Sequence, residues 1–423
     1  MKREYVKDIK VGKKVLLKGW VYEIRDLAKL KFLLLRDSSG IVQCIIKDKE
    51  LMNKISELSL ESVVEVEGEV KKANVKAEYV RKDVEVSVSD FKIISKAEKL
   101  PIHVNEKTTS TDLSKRLDYR FLDLHRQKTQ AIFRIQSTIS MAFREYFVNR
   151  GHIEFQPPSI IGSSSEGGTE LYKLKYFEKD AFLAQSPQLY KQMVACAMEK
   201  VVTITPVWRA EKHNTIRHLN ESRQMDIEIA FADQMSIMKE LELVVQYIVK
   251  KIIKEHKEDL EKIGVKLKVP KAHYLNYADA IKKVGGKIGD DFTPEQEKKL
   301  CEMYDGDIVF THTWPSEQRG FYIMRKDEDA NAKLTEGFDA LYKGVEISSG
   351  GQRVHIPELL EKLLKKKGLN PKDFKSYIDS FRFGAPPHAG WSIGLERFTQ
   401  TLLELNNIRE AVLFPRDRDR LTP

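Results

Sequence analysis

Residues 201–230, VVTITPVWRAEKHNTIRHLNESRQMDIEIA, restrict the fold more than any other stretch of the chain. They open on an alternating β-branched run (Val201, Val202, Thr203, Ile204, Thr205), which predicts a strand. They close on a second alternating run, Met225, Ile227 and Ile229, with Asp226 and Glu228 between them. The loop that joins the two is dense in cations and amides: Arg209, Glu211, Lys212, His213, Asn214, Arg217 and His218. An arginine and a glutamate two apart at the end of a strand suit a nucleotide. Arg209 can neutralise a phosphate, Glu211 can accept from an exocyclic amine, and the basic loop tip can hold a polyphosphate. Taken alone, the segment is equally an ordinary hairpin with a solvated charged tip.

At 423 residues the chain is long enough for two or three domains and a large core. Its 72 basic against 63 acidic residues give +9, which is compatible with a polyanionic partner without requiring one. Cys44, Cys196 and Cys301 are far apart and lack metal-ligand spacing, so neither a disulfide framework nor a zinc site is expected and a reducing cytoplasm is the simpler setting. The polar start, residues 1–10, does not read as a signal peptide. No apolar run approaches the roughly 20 residues of a membrane helix.

Residues 13–95 hold five short alternating runs separated by turn signals, with one helical patch at 49–58. That is the recipe for a closed β-barrel of the OB type, which binds single-stranded nucleic acid on one face. Tyr22 and Phe32 offer rings, Gln43 an amide that can read a base edge, and Arg25 and Lys31 charge; Trp20 is expected in the barrel core. A linker follows over 101–127, where Arg116, Arg120 and Arg126 fit a solvated hinge better than a nucleic-acid contact. Residues 128–149 then predict a long amphipathic helix with Ile132, Ile135, Ile139, Met141, Phe143 and Phe147 on its apolar side, ended by Gly151.

The text WRAE at 208–211 together with GLER at 394–397 resembles motifs 2 and 3 of the class II aminoacyl-tRNA synthetases. The helix at 128–149 with the strand HIEFQPPSII resembles motif 1, with Pro157 or Pro158 as its marker. The barrel text, GWV then a KF strand then RD..G.VQ, looks like the anticodon-binding domain of the aspartyl, asparaginyl and lysyl members. The resemblance implies an α+β chain: an OB-fold anticodon domain over 1–100, a hinge over 101–127 and a class II catalytic domain over 128–423 with an insertion at about 235–335. It also implies a homodimer through motif 1.

The texts QSPQLYKQ, GGTEL and SSGGQR match the aspartate-specific branch. A substrate with a side-chain carboxylate needs fixed cations, which an amide side chain would leave unpaired; Lys191 and Arg353 are the candidates. Carried over, Asp226 takes the α-ammonium with help from Glu166, while Ser186, Gln188 and Ser349 line the pocket. The loop 162–171 is Gly- and Ser-rich enough to act as a lid.

For ATP the resemblance implies Arg209 on the α-phosphate, Glu211 on the adenine amine, Arg217 and His218 on the β/γ-phosphates, and Arg397 on the γ-phosphate and adenine face. Asp339 and Glu346, seven apart across a turn, suit Mg²⁺ bound through phosphates and water, with Ser349 beside them. Phe32 and Gln43 are implied as the anticodon stack and reader, with Arg25 near them and with Tyr22 and Lys76 at tuning positions. Two departures stand out: Ser222 replaces an adenine-stacking phenylalanine, and Trp391 interrupts a glycine run. The implied activity is aspartate activation and transfer to tRNA(Asp). An asparagine-specific enzyme, a non-catalytic nucleic-acid-binding paralogue and a tRNA-independent paralogue are the rivals, and charging of tRNA(Asn) stays open.

Overall fold

A computed structural model describes residues 1–27, 30–105, 111–162 and 170–423. The chain divides into two compact units, Met1–Arg126 and Gln127–Pro423.

In the first unit β1 (Lys14–Leu27), β2 (Leu30–Arg36), β3 (Ile41–Ile46), β4 (Val63–Lys72) and β5 (Val84–Ser95) close a barrel in the order β1-β2-β3-β5-β4, with α1 (Lys49–Ser56) between β3 and β4. Alternation fills its interior with Val15, Leu17, Leu33, Leu35, Val42, Cys44, Val64, Val66 and Val86. Phe32 lies opposite Ile45 and Arg25 in the register, and Gln43 lies opposite Leu34, so Phe32, Gln43 and Arg25 share the outer face. Phe32 and Gln43 are half-buried there. Gln43 donates to Glu85 at 3.0 Å, and Arg25 pairs with Glu23 at 2.8 Å. Lys76 is exposed.

Three expectations for this unit change. Tyr22 is buried with Leu34, Ile41, Val75, Ala77 and Val80, and its hydroxyl donates to Asn105 at 3.0 Å, so its ring is closed to a base. The ring lies on the outer face, as alternation from the inward Val21 requires, but residues 73–80 cover that face at this point. Trp20 is half-buried outside the barrel core, edge-on to His125 at 5.3 Å. Arg120, expected in a solvated hinge, is fully buried in a short helix, α3 (Arg120–Asp123), which follows α2 (Leu113–Asp118), and bonds Asp123 at 2.5 Å.

The second unit is built on an eight-stranded sheet. Its strands are β6 (Ile153–Glu154), β10 (Lys200–Trp208), β11 (Glu221–Ala230), β12 (Ala272–Asn276), β13 (Ile308–His312), β14 (Gly337–Tyr342), β15 (Val345–Gln352) and β16 (His388–Gly394). Their order is β12-β13-β14-β15-β16-β11-β10-β6, and only the β6–β10 and β12–β13 pairs are parallel. The stretch 235–335 contributes β12 and β13 to the main sheet. A small sheet of β7 (Ile160–Ile161), β8 (Lys173–Tyr176) and β9 (Lys179–Leu183) precedes α5 (Gln188–Met198).

Period-2 alternation sorts the central strands into two unlike faces. Met225, Ile227, Trp391, Ile393, Phe338 and Ala340 point to one side, where α4 (Gln127–Val148), α6 (Gln234–Glu255) and α12 (Leu395–Leu402) build the main core with Ile132, Ile135, Ile139, Phe143 and Phe147. Met141, expected on that apolar stripe, is 62% exposed. Trp391 packs edge-on and tilted against Phe143 and Phe147, and its Nε1 donates to the Ile237 carbonyl at 3.1 Å. Its place in the glycine run is thus explained: the indole belongs to the core, not to the other face.

Candidate active site

The other face carries a row that crosses four strands: Asp226 opposite Ser392, Ser392 opposite Ser349, and Ser349 opposite Asp339. Two positions along, Glu228 lies opposite Gly390, and Gly390 opposite Gly351. A Cβ on Gly390 would stand 2.2 Å from Glu228 Oε2, so only glycine leaves room for that carboxylate. Above these rows lies a cavity of about 530 Å³.

At one end of the cavity a four-charge cluster is buried. Lys191, on α5, donates to Asp226 at 2.7 Å and to the Trp391 carbonyl at 3.2 Å, and stands 3.6 Å from Glu228. Arg353 bonds both oxygens of Glu228, at 2.8 and 3.2 Å. Ser392 donates to the second oxygen of Asp226 at 3.0 Å. The two cations therefore meet on one carboxylate, Glu228. Burial alone would raise the Glu228 pKa, but Arg353 and Lys191 outweigh it and hold the group below its ordinary value. Burial raises Asp226, with Lys191 and Ser392 offsetting only part of that.

Arg353, Asp226, Ser186, Gln188 and Ser349 line the cavity. Lys191 does not; it sits behind Asp226, so the expectation of two cations with open heads is revised to one at the wall and one supporting it. Asp226 likewise has both oxygens engaged. Glu166 lies outside the described residues. Among the described residues Arg353 Nη1 has no hydrogen-bond partner, which makes it the nitrogen open to a ligand.

At the other end the loop between β10 and β11 supplies Arg209, Glu211, Arg217 and His218, all lining the cavity. Arg209 and His218 flank Glu211 at 3.8 and 3.6 Å. Asn220 ties the base of the loop, donating to the carbonyls of Arg209 (2.7 Å) and Glu211 (3.0 Å). The C-terminal segment holds the tip: Arg409 bonds Asn214 and the Thr215 carbonyl, and Arg418 the Lys212 carbonyl. Arg397, in the first turn of α12, reaches the Glu346 carbonyl at 3.4 Å. Ser222 faces the cavity as expected of its position, and Leu219, Ile347 and Ile408 supply apolar wall.

Glu346 is pushed up to about 7, first by burial and then by the nearby Asp339 charge. The half-buried Glu346 carboxylate and the Ser349 hydroxyl, both lining the cavity, are a hard-oxygen donor pair that fits Mg²⁺ held mainly by nucleotide oxygens and water. Asp339 departs from expectation. Both its oxygens are taken by Arg319, at 2.8 and 2.5 Å, and it does not line the cavity.

Several residues of the site had no assigned role in the sequence. Glu228 was legible in principle, two along from Asp226 on an alternating strand. Arg319 follows a 3₁₀ turn (Ser316–Gln318) in an aperiodic stretch that gives no signal. Glu297, on α9 (Pro294–Glu302), lies 3.7 Å from Arg217 and is raised to about 7 by burial. Glu396 accepts from the Arg223 amide at 2.9 Å and is also raised to about 7 by burial.

Comparison with known proteins matches residues 112–418 to tRNA synthetases class II (D, K and N) and residues 15–94 to an OB-fold nucleic acid binding domain. The chain is 43% identical to the aspartate–tRNA(Asp/Asn) ligase of Methanocaldococcus jannaschii, covering 99% of this chain and 98% of that one. It is 40% identical to the aspartate–tRNA(Asp) ligase of Thermoplasma acidophilum over the full length of both. The asparaginyl-tRNA synthetase of Pyrococcus horikoshii, solved with asparaginyl-adenylate, superposes with a TM-score of 0.93 at 35% identity over the whole of both chains.

Proposed function

The chain belongs to the class II tRNA synthetases (D, K and N) and is an ATP-using aminoacyl-tRNA ligase, and from that premise we propose that it activates L-aspartate and transfers it to the 3′ end of tRNA(Asp). The observation that carries the amino-acid assignment is the meeting of Arg353 and Lys191 on Glu228 at the cavity's end. The cluster of Lys191, Arg353, Asp226 and Glu228 sums to zero charge, so selectivity rests on hydrogen-bond polarity. Arg353 offers only N–H donors. A side-chain carboxylate meets them with acceptors at both oxygens, whereas an amide turns its own NH₂ toward them or leaves donors unpaired.

In the reaction the substrate's α-carboxylate attacks the α-phosphorus in line, pyrophosphate leaves, and the tRNA 3′ hydroxyl then displaces AMP. This requires positioning and charge neutralisation more than acid–base work. Arg209 neutralises the α-phosphate, Glu211 accepts from the adenine amine, Arg217 and His218 take the outer phosphates, and Arg397 faces the adenine and γ-phosphate. The adenine rests between Arg397 and the wall of Leu219 and Ile408. Ser186, Gln188 and Asp226 surround the α-ammonium, with Glu166 as a further carboxylate for it. Glu346 and Ser349 would hold Mg²⁺, whose charge offsets that of the phosphates when bound.

The enzyme acts as a cytoplasmic homodimer joined through α4 and β6, a reading supported by the exposed Met141, Val148 and Ile153 there. The described residues include no helix long and apolar enough to cross a membrane.

On the barrel, Phe32 stacks on an anticodon base and Gln43 reads its edge, flanked by Arg25 and Lys76. Stacking on an aromatic ring contributes about 1–3 kcal/mol per base. Phe32→Ala is therefore expected to raise the KM for tRNA(Asp) roughly 10- to 100-fold while ATP–pyrophosphate exchange is unchanged. Aminoacylation of tRNA(Asp) and tRNA(Asn) transcripts measures this, and equal KM values for variant and parent would remove Phe32 from the anticodon site. Charging of tRNA(Asn) is the second reading, favoured by the relatives that carry both tRNA names. The same assay decides it.

A further inference from the structure

Arg319 is built into its place on every side. Its guanidinium bonds both oxygens of Asp339 and donates to Ser349 Oγ at 3.1 Å. It stacks over Trp314 at 4.2 Å, and that indole is itself fixed by a 2.9 Å bond to the Thr311 carbonyl. On another side Gly337 leaves room: a Cβ there would stand 3.3 Å from Arg319 Cδ. The side chain is nine-tenths buried, yet it lines the cavity beside Glu346. Its Nε is buried without a hydrogen-bond partner among the described residues.

Its acceptors, Asp339 and Ser349, are hard oxygens on neighbouring positions of paired strands, the kind of pair a divalent ion would use. A guanidinium cannot lose its proton, and its planar fork matches a carboxylate in two parallel bonds. It is also less strongly hydrated than a metal ion or an ammonium group, so it tolerates this burial.

We propose that the Arg319 guanidinium is the resident cation of this site, occupying the position between Asp339 and Ser349 that a divalent ion would otherwise take. Glu346 and Ser349 would then hold a metal carried in by the nucleotide. The inference depends on reading the cavity as a nucleotide site, which deepens the functional assignment above. Arg319 is a positioning residue. It offsets the charge of Asp339 before a polyphosphate arrives.

The test is Mn²⁺ binding by electron paramagnetic resonance on the full chain without nucleotide, so that it reports on the metal alone. Wild type and Arg319→Lys are expected to show no site tighter than about 1 mM. Arg319→Gln exposes Asp339 beside Glu346 and is expected to gain a site at least ~10-fold tighter, which Asp339→Asn in the same background removes. If Arg319→Gln gains nothing, or the gained site survives Asp339→Asn, the proposal is overturned. If Arg319→Gln does not fold, the wild-type titration decides: a micromolar nucleotide-free site overturns the proposal, and none tighter than about 1 mM supports it. Failure of aspartate to support ATP–pyrophosphate exchange would instead overturn the functional reading, a separate result.

Discussion

Replacing Arg353 with glutamine is expected to lower kcat/KM for aspartate in ATP–pyrophosphate exchange by about 1,000-fold, with the KM for ATP little changed. Arg353 is fully buried and bonds Glu228 through two nitrogens, leaving Nη1 for the substrate. Breaking a buried ion pair from one side costs about 3–5 kcal/mol, because the remaining charge is stranded, and each ~1.4 kcal/mol is a factor of ten. Part of that loss would be structural, and a second variant separates it. Arg353→Gln with Glu228→Gln removes the stranded carboxylate, so thermal stability and ATP binding should recover while aspartate binding does not. Recovery of aspartate affinity in the double variant would mean that Arg353 only balances Glu228 and never meets the substrate.

Arg209→Ala should fall nearly as far, by a different route. Arg209 is 43% exposed at the cavity rim, 3.8 Å from Glu211, so its removal acts on the ligand more than on the core. The expected effect lies on kcat: roughly 100- to 1,000-fold, the range seen when one donor to a developing anionic centre is removed. The melting temperature should be unmoved. A variant that raised the KM for ATP alone, with kcat intact, would show that Arg209 binds the nucleotide equally in ground and transition states and does not stabilise the reacting phosphorus.

The parts of this molecule that were legible in its sequence are those written in a regular period. The barrel and the β10–β11 hairpin announce themselves by strict alternation, and the same alternation puts Asp226 and Glu228 on the face opposite Ile227. The helix α4 is equally plain, apart from Met141, which lies off the buried stripe. Where the period breaks, the reading breaks with it. The irregular stretch 73–80 covers Tyr22 with Val75, Ala77 and Val80, which no count of alternating residues reveals. Strands β12 and β13 are five residues each and separated by helices, so their membership of the main sheet follows only from pairing across long sequence distances.

The candidate site shows the same division. Residues on strands, just past a strand end or at the start of a helix (Asp226 and Glu346, Arg353, Arg397) face one cavity as their elements dictate. What the sequence could not give is which charges neutralise one another. Lys191, a candidate cation for the substrate by its motif, stands behind Asp226; Asp339, a candidate metal ligand by its spacing from Glu346, is held by Arg319. In both cases a short-range ion pair in a dry environment outweighs exposure to the cavity, and such pairs form between residues 35 and 20 positions apart.

The central claim is that a donor-only arginine, with a lysine supporting it through the shared Glu228 carboxylate, selects a carboxylate side chain beside a bound nucleotide. ATP–pyrophosphate exchange by the unmodified enzyme, with aspartate and with asparagine as the variable substrate, tests it most directly. Aspartate should support exchange with a kcat/KM about 1,000-fold or more above that for asparagine; equal rates, or a preference for asparagine, would contradict it.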